Sequence, residues 1–172
     1  MQYVVEKEHP HPLTLKVLKE YLRISHDYDD ELLKKLSDIA VSYAELFLRY
    51  SITVKDIKVS FLKQEYKSKI TLPIMYAQKI LSVAYISKDQ GNEALDENSY
   101  RLLMDKNIVE IDLLEKPKDL EICYQTRGVI NSNIAISQGV MVHVEQLYEK
   151  KSNHQIVSQL RDFYKPYRRI LL

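Results

Sequence analysis

The stretch Asp30–Leu62, DELLKKLSDIAVSYAELFLRYSITVKDIKVSFL, changes its hydrophobic period partway along. As far as Arg49 the apolar side chains recur at the spacing of a helix face. Beyond Ile52 they recur at every second position: Ile57, Val59 and Phe61 alternate with Lys58, Ser60 and Leu62, as in a strand with one buried face. A helical region thus gives way to a β region near residue 51. On a wheel of ~100° per residue, Leu32, Leu33, Leu36, Ile39, Ala40, Val41, Tyr43, Ala44, Leu46, Phe47 and Leu48 fill an arc of ~220°. Covering one side of a core takes an arc of only ~100° or a little more. The excess predicts a helix covered on two sides, by its own chain or by a neighbouring copy; Val41, Leu46 and Leu48 are assigned to an interface between copies.

Upstream, Thr14 has the character of an N-cap for a helix carrying Leu15, Leu18 and Leu22, after the stiff lead-in His9-Pro10-His11-Pro12. The acidic turn Asp27-Tyr28-Asp29-Asp30-Glu31 places carboxylates at the positive end of the long helix. Downstream, Leu81, Val83 and Tyr85, and then Leu120, Ile122 and Tyr124, again alternate with smaller or polar residues. Lys88-Asp89-Gln90-Gly91-Asn92 reads as a turn, and Asp105-Lys106-Asn107 as the turn of a tight hairpin. Pro73 and Pro117 fall between strands. After Gly128 a helical stripe returns, from Ile134 to Tyr148, with Asn131 or Ser132 as its cap. A last helix through Ile156, Val157, Leu160, Phe163 and Tyr164 should stop before Pro166. The expected fold is α+β in a single domain, 1–172. Helical segments 13–50 and 129–172 pack together, with an antiparallel β insertion over 51–128.

At 172 residues one domain is the default, and a hydrophobic share of 45% with 28% charged residues excludes global disorder. No apolar run approaches the ~18 residues of a membrane helix, and no signal peptide is visible. With 25 basic and 24 acidic residues, no overall field draws the chain to nucleic acid or membrane. The single cysteine, Cys123, cannot make an internal disulfide and points to a reducing compartment.

No catalytic constellation stands out. Three glycines leave no glycine-rich phosphate loop, and the nucleophile-elbow, H-E-x-x-H and C-x-x-C motifs are absent. His9 and His11 read as an exposed loop rather than metal ligands, since a metal site needs three or four converging groups. His26 with its acidic neighbours lacks the glycine of a calcium loop and is explained by helix capping. His143 reads as a satisfied histidine at a core edge, and Cys123 carries no sign of activation. No enzyme activity, metal or cofactor is expected. From Lys150 onward the chain has six basic residues and one acid, yet finishes on Ile170-Leu171-Leu172. Tyrosine and arginine are enriched anchors at interfaces. Tyr164, Tyr167, Arg168, Arg169, Ile170, Leu171 and Leu172 are therefore assigned to docking on a partner, projecting beyond Pro166. The alternative is a small DNA- or protein-binding regulator using the same basic segment.

These residues also carry a family resemblance. Leu13-Thr14-Leu15 through Leu18-Lys19-Glu20-Tyr21-Leu22-Arg23-Ile24, then His26-Asp27-Tyr28-Asp29-Asp30-Glu31-Leu32-Leu33, resembles the opening of head–tail connector (adaptor) proteins. These occur in long-tailed bacteriophages and phage-derived gene transfer agents. Leu160 through Tyr164-Lys165-Pro166-Tyr167-Arg168-Arg169 is similar to the family's closing helix and terminus, and Ile70-Thr71-Leu72-Pro73 leading into Ile80–Ser87 to its strand region. The tryptophan common in that region is missing. The resemblance implies a non-enzymatic virion protein, assembled in the bacterial cytoplasm. It implies a homo-oligomeric ring, commonly of about twelve copies around one rotation axis. The partners it implies are the portal above, onto which the C-terminal tail would dock, and a head–tail stopper or tail protein below. DNA would pass through the centre, and no membrane is involved.

Overall fold

The computed structural model describes residues 1–10, 13–62, 68–74, 77–86, 92–111, 119–130, 132–149, 160 and 162–168. Of the sequence expectations, His11, most of the Lys88–Asn92 turn, Pro117, Asn131, Ile156, Val157 and the tail 169–172 lie outside the described residues. The chain is mixed α+β, and its strands pair antiparallel. It divides into two compact units, one of residues 1–9 and 53–128, the other of residues 10–52 and 129–172.

The first unit holds two sheets. The larger has the order β1 (Gln2–Glu8), β2 (Lys55–Leu62), β8 (Asp119–Thr126), β4 (Ala77–Ile86) and β5 (Asn92–Ala94). The smaller runs β3 (Lys69–Thr71), β7 (Ile108–Ile111) and β6 (Tyr100–Leu103). Alternation in β2 and β8 does what period two dictates. Ile57, Val59, Phe61, Leu120, Ile122 and Tyr124 are buried together with Ile70, Leu72, Val109 and Ile111 of the smaller-sheet region. In β4 the alternation is broken by a register shift between Ile80 and Ser82. The extra residue turns Leu81 outward to 43% exposure, where strict alternation would bury it.

The hairpin of β6 and β7 forms as its turn residues predict, but Asn107 does more than turn the chain. It takes the left-handed conformation, φ 54°, and is fully buried. Its Nδ2 donates to the carbonyls of Leu72 at 3.0 Å and Ile74 at 3.2 Å, and its Oδ1 accepts from the Ala77 amide at 2.9 Å. One side chain thereby holds the approach to β4.

β1 has no counterpart in the sequence expectations. Each of its residues is exposed, so no apolar alternation betrays it. Its end is held by His9, which is tied down rather than loose. The Asp56 carboxylate contacts His9 Nε2 at 3.0 Å and accepts from Gln125 Nε2 at 2.7 Å. Partial burial raises the Asp56 pKa, but the bonds from Gln125 and His9 outweigh it and hold the carboxyl below its usual range.

The second unit contains α1 (Leu15–Leu22), α2 (Asp30–Leu48) and α3 (Ile134–Tyr148). Thr14 caps α1 as expected, accepting from the Val17 amide at 3.4 Å. The cap of α3 is Asn133, whose Oδ1 accepts from the Ile136 amide at 3.2 Å, later than the sequence assignment to Asn131 or Ser132. With so few glycines, α1 and α2 both end on arginines in the left-handed region, Arg23 at φ 58° and Arg49 at φ 65°.

Candidate functional site

The helical unit is pinned by polar contacts between its helices. The Tyr21 hydroxyl donates to Glu145 at 3.1 Å, and the Tyr148 hydroxyl donates to Asp29 at 2.7 Å. Lys19 reaches both Asp27 at 2.6 Å and Asp30 at 2.8 Å, which ties the acidic turn to α1. Those two hydrogen bonds raise the ammonium pKa of Lys19, and the one to Asp27 lowers that carboxyl's pKa in turn. His26 stacks on Tyr28 with ring centroids 3.6 Å apart. Among the described residues no group of three histidine, cysteine or acidic side chains converges on a metal position.

The wide apolar arc of α2 resolves into two faces. Leu33, Ala40, Ala44 and Leu48 are fully buried, and Val41 is 7% exposed. Leu48 and Val41 are thus covered within the chain itself, which leaves them almost no exposed surface for the interface between copies assigned to them. Leu46 is the opposite case, 80% exposed. It ends a row with Leu32 and Ile39, each exposed and each seven residues from the next. Two intervals of seven residues at ~1.5 Å each make a stripe of about 21 Å, roughly 150° round the helix from the buried face. An aliphatic stripe with this repeat is what one helix shows to another.

The C-terminal segment starts deeper than the sequence suggests. Tyr164 is fully buried. Its ring lies 6.1 Å from Phe47 and so close to Gly139 that an added Cβ would come within 2.7 Å of it. Burial also pushes its hydroxyl pKa far up. Its side chain is an anchor within the unit and not a free docking group. The last helical residues end at Tyr164, before Pro166 as expected, and Lys165–Tyr167 follow as a 3-10 turn with the proline near its start, where its missing N–H costs nothing. Tyr167 is 39% exposed, and the Arg168 guanidinium sits 5.1 Å above the Phe47 ring. Arg168 therefore lies back on α2 instead of projecting, held by a cation–π contact. Arg169, Ile170, Leu171 and Leu172 lie outside the described residues.

His143 lies in the core, as expected, but its hydrogen bonding is incomplete. It is 4% exposed, its ring meets Tyr43 edge-on at 5.0 Å, and its Nδ1 has no hydrogen-bond partner among the described residues. Burial lowers its pKa, which favours the neutral ring. Cys123 is half-buried and its thiol is pushed up by burial, which disfavours a thiolate.

Known proteins match this arrangement from end to end. The "Neck of empty GTA particle computed with C6 symmetry" contains a chain of 13% identity and TM-score 0.77 that covers 100% of this chain and 97% of its own length. The "Virion of native gene transfer agent (GTA) particle" gives 14% and 0.77 with the same coverage. The "Neck of native GTA particle computed with C12 symmetry" gives 14% and 0.71, also with the same coverage. At these identities the likeness is one of fold. No curated protein matches the sequence significantly. The profile of the phage gp6-like head-tail connector proteins matches residues 12–107. That span exceeds half of the 172 residues, and the chain therefore belongs to the phage gp6-like head-tail connector family, whose members are structural and not enzymatic.

Proposed function

We propose that this connector works as a ring in the neck of a phage-like particle, beneath the portal, with DNA passing through its centre. The observation that carries the reading is the end-to-end fold match to chains from particles whose necks are described with C6 and C12 symmetry. The exposed stripe Leu32–Ile39–Leu46 supports it, because a ring subunit has a neighbour on each flank. Leu46 belongs to the subunit interface. Tyr167, Arg168 and the residues 169–172 form the portal-docking end, with Tyr164 as their internal anchor, and the lower face of the ring meets a stopper or tail protein. The net charge of +1 suits a conduit, since each phosphate neutralised by a cation adds affinity and would slow passage. Assembly takes place in the bacterial cytoplasm. Deleting the gene in a producing cell tests the reading. Filled heads without tails, restored to complete particles by the wild-type chain, are expected. Complete particles in the deletion strain would overturn it.

A further inference from the structure

Among the described residues, the larger sheet leaves a stretch of β1 and a stretch of β4 without a partner strand on one side. β1 bonds to β2 on one side only and is the outermost strand of its sheet. It is seven residues long, with Tyr3 at 52% and Val4 at 63% exposure. Its first half, Tyr3 to Val5, is an apolar edge that can template another strand, while Glu6, Lys7 and Glu8 and a register shift between Val5 and Lys7 restrict which strand can add. At the far side of the same sheet, β5 covers β4 only at Ala84–Ile86. Among the described residues, Ala77–Ser82 of β4 has no strand partner on that side. A groove of about 350 Å³ runs there, lined by Gln78, Lys79, Ile80, Tyr100, Leu102 and Met104 among others. Leu81 and Met104 are exposed beside it.

We propose that β1 of one copy adds to the open edge of β4 in the next copy, so that neighbouring subunits share one continuous β-sheet. This deepens the ring reading of the previous subsection and rests on it. Three observations choose a second copy as the occupant. The first is direction. β2 is antiparallel to β1, β8 to β2 and β4 to β8, so β1 runs antiparallel to β4. A sheet carried from copy to copy by rotation thus continues its antiparallel pattern across the joint. The second is length, seven residues of β1 against residues 78–82 of β4, since the Ala77 amide is already taken by Asn107. The third is the match of faces. Centring the two stretches puts Val5 opposite Ile80, Val4 opposite Leu81 and Glu6 opposite Lys79. Val5 pairs with Ile57 and Ile80 with Tyr124, both on the core face, so an apolar residue meets an apolar one there. Glu6 and Lys79 fall on the opposite face, where opposite charges meet. The two edges differ, so the contact is head-to-tail, and a head-to-tail contact that closes makes a ring.

Cysteine cross-linking in particles tests the joint. In a Cys123→Ser background, Glu6→Cys and Lys79→Cys are introduced together and singly, all at exposed positions. Particles are purified, oxidised and run on a non-reducing gel. The expected result is a ladder beyond dimer for the double variant and monomer for each single one. A dimer from Glu6→Cys alone would mean β1 pairs with β1 and would overturn the proposal. Monomer from the double variant in particles that contain the protein would also overturn it, leaving the connector ring intact. Particles that never contain the wild-type chain would overturn the ring reading, and the joint with it. As a second probe, Glu6→Lys should cut incorporation at least tenfold without moving the melting temperature, and adding Lys79→Glu should restore it. Normal incorporation of Glu6→Lys would count against the register.

Discussion

Asn107 shows how much one residue can carry. Its place in a turn is readable from sequence, since asparagine tolerates φ > 0. Its burial and its three bonds to the chain before β4 are not, because the partners are some 30 residues away. Asn107→Ala should cost about 3 kcal/mol or more in a denaturant melt, from lost bonds and buried groups left unpaired. Asn107→Gly eases the backbone but leaves the Ala77 amide without its acceptor, so most of the loss should remain. His143 makes the pH prediction. Its folded pKa lies below the ordinary 6.5 because burial disfavours the charged ring. The unfolded chain then binds the proton more readily, so stability is flat above that value and falls as pH drops through it. Melts between pH 7.5 and 5 should show this decline, and His143→Leu should flatten it.

Among the elements, α2 separates core from surface most sharply. Leu48→Ala should cost ~2–5 kcal/mol, as for other buried leucines. Leu46→Ala should leave the melting temperature unchanged and weaken assembly. Leu36 and Phe47, which the wheel places well inside the apolar arc, are only half-buried, and their truncation should cost less than that of Leu48. A wheel ranks positions by angle, but only the packing of α3 against α2 decides which part of the arc is covered. The same limit applies to β4, where the bulge at Leu81 breaks a pattern that held in β2 and β8. β1 escaped notice because both its faces are exposed, whereas the period change after α2 was legible since each side of it buries one face. Gly139 tests α3 directly. Gly→Ala in a helix ordinarily gains up to ~1 kcal/mol. Here the new methyl would meet Tyr164 at 2.7 Å and Phe163 at 3.0 Å. Gly139→Ala should therefore destabilise the unit by ~1–3 kcal/mol.

At the scale of the whole molecule the C-terminal end has two jobs. Tyr164 closes the helical unit, and on the proposed reading the residues after Arg168 serve the portal. Truncation after Arg168 should hold the melting temperature within a few degrees, roughly 1 kcal/mol for a chain of this size, while heads fail to join tails. Truncation before Tyr164 should lower it sharply. Each unit is also assembled from two separate lengths of chain, 1–9 with 53–128 and 10–52 with 129–172. That interleaving bears on synthesis. At the usual 5–20 residues per second, β1 waits roughly 3–10 s for β2 to be made. The inner face of α2 waits longer still, until the ribosome has passed Tyr148. A growing chain therefore carries a bare strand and then a bare leucine face in turn, and the helical unit, begun before most of the β unit, stays open until after the β unit is complete at residue 128. The yield of native protein should depend on how quickly translation runs through the strands.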